Sequence, residues 1–202
     1  MLRYDIINYL IGRNDYKRYL EIGVEGGDAL RQIKAEVKHG VDPASKHATH
    51  HVTSDTFFTE LPEDEKYDII FIDGLHVEDQ VDRDIINSLN HLSPNGIIVV
   101  HDCNPPSAWH QRPYEEAKKN GCRQWNGTVW RSMVKIRATR PDLEVRTVNT
   151  DWGCGLIRPS QNLPEELISD VPEGDALTYD WLEKNKTKAL NLIDPREFYK
   201  LY

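Results

Sequence analysis

The chain has 202 residues, enough for one α/β domain with a substantial core and too few for two ordinary ones. Its composition, 39% hydrophobic and 29% charged, excludes disordered and low-complexity classes. The 25 basic residues against 33 acidic ones leave a formal charge of −8 without a Lys/Arg cluster, so neither nucleic acid nor a membrane surface is an expected partner. Cys103, Cys122 and Cys154 lack metal-type spacing, which favours a reducing compartment. No apolar run approaches a transmembrane span. Asp5 stands where a signal peptide would begin its apolar stretch, and a cytoplasmic location is expected.

Residues 2–11 place Leu2, Ile6, Tyr9 and Leu10 at helical spacing, with a stop at Gly12. A short apolar strand, 19–22, runs into Gly23-Val24-Glu25-Gly26-Gly27. A helix is expected over 28–38, with Leu30, Ile33 and Val37 on one face, and a second strand over 39–42, ending in Asp42. A third, very short strand falls within 50–55. Two near-continuous apolar runs, 67–72 and 96–100, end at Asp73-Gly74 and His101-Asp102; such runs suit strands buried on both faces of a parallel sheet. Val81, Ile85, Leu89 and Leu92 form a helical stripe between them, and Pro94-Asn95-Gly96 is expected to turn the chain back. The insert 103–127 is irregular and rich in aromatic residues. A helix over 128–139 and a hairpin of strands 143–148 and 154–157 follow. The alternation predicts a doubly wound, mostly parallel α/β sheet over 1–159. Residues 160–202 read as a helical extension packed on it. Thr178 is a candidate cap there, and Asp194-Pro195-Arg196-Glu197 is a strong helix start.

In open α/β sheets, ligands bind outside the carboxyl ends of the strands. Those ends carry Glu21 to Gly27, Asp42, Asp73, His101 and Asp102. The glycines permit a tight turn and close ligand approach, and Asp42 lies 21 residues after Glu21, where an acid can take ribose hydroxyls. A dinucleotide fingerprint beginning at Gly23 would need glycine at position 25. Glu25 stands there, and its charge repels a diphosphate. A ligand with a ribose and an ammonium group tolerates these acids, and S-adenosylmethionine is such a ligand.

The segments Tyr19-Leu-Glu-Ile-Gly-Val-Glu-Gly-Gly27, Val41-Asp-Pro43, Phe71-Ile-Asp-Gly-Leu-His76 and Val100-His-Asp-Cys-Asn-Pro-Pro106 resemble a class I S-adenosylmethionine-dependent methyltransferase. The similarity is to the small bacterial "methyltransferase domain 24" type, akin to catechol-type O-methyltransferases, and covers roughly residues 15–158. It implies a Rossmann-like fold of seven strands, the seventh antiparallel and inserted beside the fifth. It also implies that Glu21, Gly23 and Gly27 line the methionine end and ribose side of the cofactor. Asp42 would take the ribose hydroxyls, Thr53, Ser54 and Asp55 would lie near adenine, and Asp73 near the sulfonium. Ser54 also suits a helix N-cap.

Catechol-type relatives hold a divalent cation with an aspartate ending one strand and an Asp-Asn pair ending the next. Here those places hold Asp73 and His101-Asp102. Asp73 and Asp102, with His101 or His76, form a candidate metal set better suited to Mn²⁺, Fe²⁺ or Zn²⁺ than to Mg²⁺. Without a cation, a histidine is the natural general base. His101 is the first expectation and His76 the second. In the insert, Trp109, His110, Tyr114 and Trp125 are expected to wall the acceptor site or pack the loop, and Trp152 to face the acceptor; Trp130 reads as core. The expected reaction is methylation of a small-molecule or sugar hydroxyl. The alternatives are a nicotinamide-dependent Rossmann-type oxidoreductase and a non-catalytic binding module, and a homo-oligomer is an open possibility.

Overall fold

Two residue sets, offset by one along each central strand, build two separate cores. Leu20, Ile22, Ile70, Ile72, Ile98 and Val100 face one side of a sheet; Tyr19, Ile69, Phe71, Ile97 and Val99 face the other. This is the period-two alternation of a strand, with both faces apolar because both are covered. The computed structural model describes residues 1–119, 121–160 and 166–202. Its strands are β1 (Arg18–Ile22), β2 (Val37–Val41), β3 (Tyr67–Ile72), β4 (Leu92–Val100), β5 (Leu143–Val148), β6 (Cys154–Pro159) and β7 (Leu192–Ile193). They form one seven-stranded sheet in the order β2-β1-β3-β4-β6-β5-β7. The first four strands are mutually parallel, and β6 runs antiparallel to both β4 and β5, as the hairpin predicted.

The first core packs under α3 (Ser54–Glu60), α4 (Glu78–Asn90), α6 (Val129–Thr139) and α7 (Tyr179–Ala189). The second packs under α1 (Arg3–Asn14), α2 (Asp28–Gln32) and α8 (Pro195–Leu201), and the short α5 (Tyr114–Lys118) lies in the insert after β4. The result is a sheet between two helical layers. Trp130 of α6 is fully buried, as its helical position predicted.

Four local readings are corrected. The helix expected over 28–38 ends at Gln32, because the Asn8 amide donates to the Gln32 carbonyl and accepts from the Lys34 backbone N–H. That pins the segment in extended form, and β2 starts at Val37. The third strand shrinks to a single bridge between Val41 and His50. Pro94-Asn95-Gly96 makes no turn; it lies within β4, where the pairing register with β3 shifts. The C-terminal extension adds a strand as well as helices. β7 pairs with β5, and Phe198 of α8 is buried in the core that holds Tyr19 and Phe71. Both expected caps form: Thr178 accepts from the Trp181 N–H, and Asp194 and Glu197 make a reciprocal box. Residues 161–165 of the extension lie outside the described residues.

Candidate active site

The carboxyl ends of β1 to β4 open onto a cavity of about 690 Å³, within the range of small-ligand sites, roughly 300–1,000 Å³. At one end the loop after β1 turns through Gly23 at φ +87°. A Cβ there would stand 2.2 Å from the Asp73 carbonyl oxygen, so only glycine lets β1 and β3 end side by side. Glu21 lies beneath the loop, 1% exposed, and accepts a 2.5 Å hydrogen bond from the Tyr19 hydroxyl. Burial raises its pKa to about 7; the Tyr19 bond works against the shift and the Asp73 charge adds to it.

Asp42 stands on the wall as expected, but its carboxylate is committed to the loops. One oxygen accepts from the Val24 and Glu25 N–H groups, at 3.0 and 2.9 Å, and the other from Ala44 and Ser45, at 2.8 and 2.9 Å. Burial opposes its charge, but these four bonds outweigh burial and hold its pKa below the usual value. They fill the lone-pair sites of the carboxylate, so the expected pair of ribose bonds would compete with the loop.

Gly23, Thr53, Ser54 and Asp73 line the cavity; Gly27 and Asp55 do not. Gly27 is the left-handed N-cap of α2 and abuts His47, and Gly26 takes the place on the wall. Asp55 pairs with Arg83. Thr53, not Ser54, caps α3, accepting from the Thr56 N–H. Asp84 and Gln80 also line the wall, and neither was expected. Burial raises the Asp84 pKa to about 6, against bonds from Ser54 and Gln80. The available signal was an acid on the apolar stripe of α4, one position before Ile85.

At the other end, six charged or ionisable side chains meet. His101 is 3% exposed. Its Nδ1 lies 3.0 Å from Asp102 and 3.2 Å from Asp73, and its Nε2 faces Asp151 at 3.6 Å. Burial disfavours the imidazolium, but Asp73 and Asp102 outweigh burial and raise its pKa well above the ordinary histidine value. The Nδ1 of His76 lies 3.0 Å from the Trp125 carbonyl, and its Nε2 lies 3.3 Å from Asp73. Its ring stacks on Trp125, with centroids 5.5 Å apart. Burial lowers the His76 pKa, but Asp73 and Asp102 outweigh that and raise it. Asp73 is held well below the carboxylate range: burial works the other way, and the two imidazoles overcome it.

Arg3 and Asp151, which no sequence pattern indicated, complete the cluster. The Arg3 guanidinium pairs with Asp73 at 2.9 Å and with Asp151 at 3.0 Å. Three carboxylates thus face one guanidinium and two imidazoles held towards their charged form. Asn126, fully buried, donates to Asp102 at 2.8 Å. Asp102 sits at φ +61°, a left-handed conformation that aspartate tolerates better than most residues.

Of the two histidines offered as third member of the candidate metal set, His76 is the one grouped with both aspartates. Asp73, His76 and Asp102 each present a ligand atom, all within 4.8 Å of one another; His101 groups instead with Asp151 and Cys154. Two carboxylates and an imidazole suit a divalent cation of the Mn²⁺ or Zn²⁺ kind. The site's own cations already balance its carboxylates, however. All three cysteines are free thiols, and burial pushes the Cys154 pKa up to about 12.

Residues 17–103 match the model of the methyltransferase-domain family. A comparison with curated proteins found no match. Among solved structures, a Podospora anserina methyltransferase with bound S-adenosylhomocysteine is similar, with a TM-score of 0.56 and 17% identity over 79% of this chain and 78% of that one. An O-methyltransferase of Bacillus cereus in complex with S-adenosylhomocysteine gives 0.53 and 15% over 77% and 78%. The O-methyltransferase TomG of Streptomyces achromogenes, involved in tomaymycin synthesis and solved with S-adenosylmethionine, gives 0.54 and 16% over 78% and 79%. The matched segment has the sequence pattern of a methyltransferase domain, and the fold is shared with these methyltransferase structures. No described helix is long and apolar enough to cross a membrane.

Proposed function

We propose that the chain binds S-adenosylmethionine in the 690 Å³ cavity and methylates a hydroxyl oxygen of a small-molecule or sugar acceptor. The observation that carries this reading is the cavity's polarity: a glycine loop over Glu21 at one end, the ionised cluster at the other, and the aromatic walls Tyr114, Trp125 and Trp152 beside the cluster. When bound, the cofactor supplies an electrophilic methyl group. Glu25 also faces the cavity, which disfavours a diphosphate-bearing nicotinamide cofactor. Titration calorimetry tests the reading: S-adenosylhomocysteine binds and NADH does not. The reverse result would sink it.

Glu21 is the residue to receive an ammonium group, because a buried carboxyl with pKa about 7 gains its full charge only beside a cation. A raised pKa in the folded state means that stability is lost as pH rises from the usual carboxylate range through 7. A tenfold change in proton affinity is worth roughly 1.4 kcal/mol, so Glu21→Gln should stabilise the ligand-free protein at pH 8 by about 3 kcal/mol. It should also weaken S-adenosylhomocysteine binding. Paired denaturation and calorimetry would check both signs; unchanged affinity would remove Glu21 from the binding site.

The geometry favours His76 over His101 as the base. Both rings lie among carboxylates, but the His101 side chain is only 3% exposed, which suits it to position Asp73 and Asp102, whereas that of His76 is 17% exposed and within reach of an acceptor. A carbonyl only accepts, so the Trp125 carbonyl keeps the proton on His76 Nδ1 and leaves Nε2 as the atom that exchanges one. The raised pKa of His76 means that the base must first be deprotonated. Activity should thus climb with pH through a value above the ordinary histidine range. A cation held by Asp73, His76 and Asp102 would instead supply acidity to the acceptor hydroxyl. Because the cluster is charge-balanced, full turnover is expected in EDTA, with this pH profile retained. Loss of activity in EDTA and its rescue by Mn²⁺ would transfer the role to a metal.

A further inference from the structure

Among the described residues, two groups bring their donor atoms close enough together to hold a metal ion: Asp73 with His76 and Asp102, and His101 with Asp151 and Cys154. Arg3 engages one carboxylate of each group. It belongs neither to a strand end nor to the insert; it is the first residue of α1. A cation at that place is opposed by the helix dipole, whose positive end lies at the N-terminus. The carboxylates across the cavity mouth offset that opposition.

Asp151 fixes the direction of the side chain. Its Oδ2 accepts from the Arg3 backbone N–H at 2.8 Å and from Nε at 3.0 Å, and its Oδ1 accepts from Nη2 at 3.3 Å. The backbone bond also satisfies one of the N–H groups that the start of a helix leaves unpaired. Held at three points, the guanidinium has Nη1 left to reach Asp73, and it donates to Oδ2 at 2.9 Å. The other oxygen of Asp73 faces His76 Nε2 at 3.3 Å and His101 Nδ1 at 3.2 Å. Of these three neighbours, only arginine keeps its charge at every working pH. A metal ion on Asp73 would need a carboxylate oxygen close by, at about 2.0–2.2 Å for zinc, and Oδ2 carries the guanidinium. The two cations would then share one carboxylate in a partly buried site, where dissolved salt screens their repulsion little.

Resting on the methyltransferase reading above, we propose that Arg3 is the resident cation of this site: a positioning residue that fixes Asp73 for His76 and, by its charge, closes Asp73 to a divalent metal ion. The first turn of α1 is then part of the reaction centre, and the chain supplies from its own side chain the positive charge that a metal would bring.

The test measures Mn²⁺ binding by the full chain in mildly alkaline buffer, by calorimetry and by loss of the free-ion signal in electron paramagnetic resonance. Arg3→Met keeps most of the bulk and removes the charge. It is expected to bind Mn²⁺ roughly ten- to a hundredfold more tightly than the wild type, the scale on which partners of ligating residues tune metal affinity. Arg3→Lys keeps the charge and should stay near the wild type. Adding Asp73→Asn to Arg3→Met should abolish the gain and so place the ion. A merely structural role would make Arg3→Met less stable without creating an ion site. Equal Mn²⁺ affinity in the wild type and Arg3→Met, or a gain shared by Arg3→Lys, would overturn the proposal. If Arg3→Met does not fold, the wild type decides: micromolar Mn²⁺ binding overturns the proposal and lack of binding sustains it. S-adenosylhomocysteine binding by the wild type, measured alongside, keeps the two readings apart, because its absence refutes the methyltransferase reading whatever Mn²⁺ does.

Discussion

Asp73→Asn is expected to cost about 3–5 kcal/mol of stability, the scale for breaking a buried charge pair by removing one partner, and to abolish methyl transfer. Asp73 accepts from Arg3 Nη1, His76 Nε2 and His101 Nδ1. Asparagine keeps the shape and removes the charge, so Arg3, His76 and His101 then face only Asp102 and Asp151. The change should also be visible in pH dependence. A histidine whose folded pKa is raised contributes stability that is complete below its unfolded value and lost as pH rises through the folded value. Removing Asp73 lowers the folded values of His76 and His101, so this loss should begin at lower pH. Denaturant titrations across pH, with imidazole NMR titrations, would check the result. A stability loss below about 1 kcal/mol, the level of an exposed pair, would show that the cluster is not coupled as described.

Gly127→Ala should be the most damaging change outside the ion cluster. Gly127 has φ +58°, and a Cβ there would lie 1.8 Å from the His76 carbonyl oxygen and 2.8 Å from the His76 Cβ. The colliding atoms are backbone, so the loop or His76 must move. The neighbouring contacts resist this: the Thr128 N–H donates to that same carbonyl at 2.9 Å, and the Gly127 N–H donates to His110 at 3.1 Å. Any shift separates His76 from Asp73 and from the Trp125 ring. A loss of roughly 1–3 kcal/mol or more from overpacking is expected, with kcat collapsing while S-adenosylhomocysteine affinity changes far less, because Gly23 and Glu21 lie at the opposite end. Wild-type kcat in a folded Gly127→Ala protein would show that His76 is not the group whose position matters.

The strand ends were legible in the sequence because burial on both faces leaves a continuous apolar run. Ile69 to Ile72 and Ile97 to Val100 each stop at a charged residue, and the charge marks where the sheet ends and the cavity begins. Placing His76, His101, Asp73 and Asp102 together followed from that alone. Arg3 and Asp151 were not legible, since a single charge in an amphipathic helix or a hairpin turn has no periodic signature. Their meeting depends on the inserted antiparallel β6 bringing its turn beside β4. The proposed reading puts His76 in place of His101 as the base for a related reason. Position along a strand end says which residues converge, but the direction of each ring is set by partners such as the Trp125 carbonyl, 49 residues from His76. β7, with two residues, is too short for any pattern. Asp42 was placed correctly at the cavity, yet its four backbone bonds arise from loop geometry that spacing does not encode.

The Arg3–Asp151 contact joins positions 148 apart in sequence, and Asp73 and His101 lie between them along the chain. Loop-closure entropy makes such distant contacts late events. A growing polypeptide has Asp73, His76, His101 and Asp102 in place well before the β5–β6 hairpin exists, and the helix that bears Arg3 has nothing to clasp until that hairpin docks. Assembly of the sheet and completion of the ionic centre are therefore separate steps in time. The ionic centre matures last, as the helix that bears Arg3 is fastened to a hairpin that follows it by more than a hundred residues.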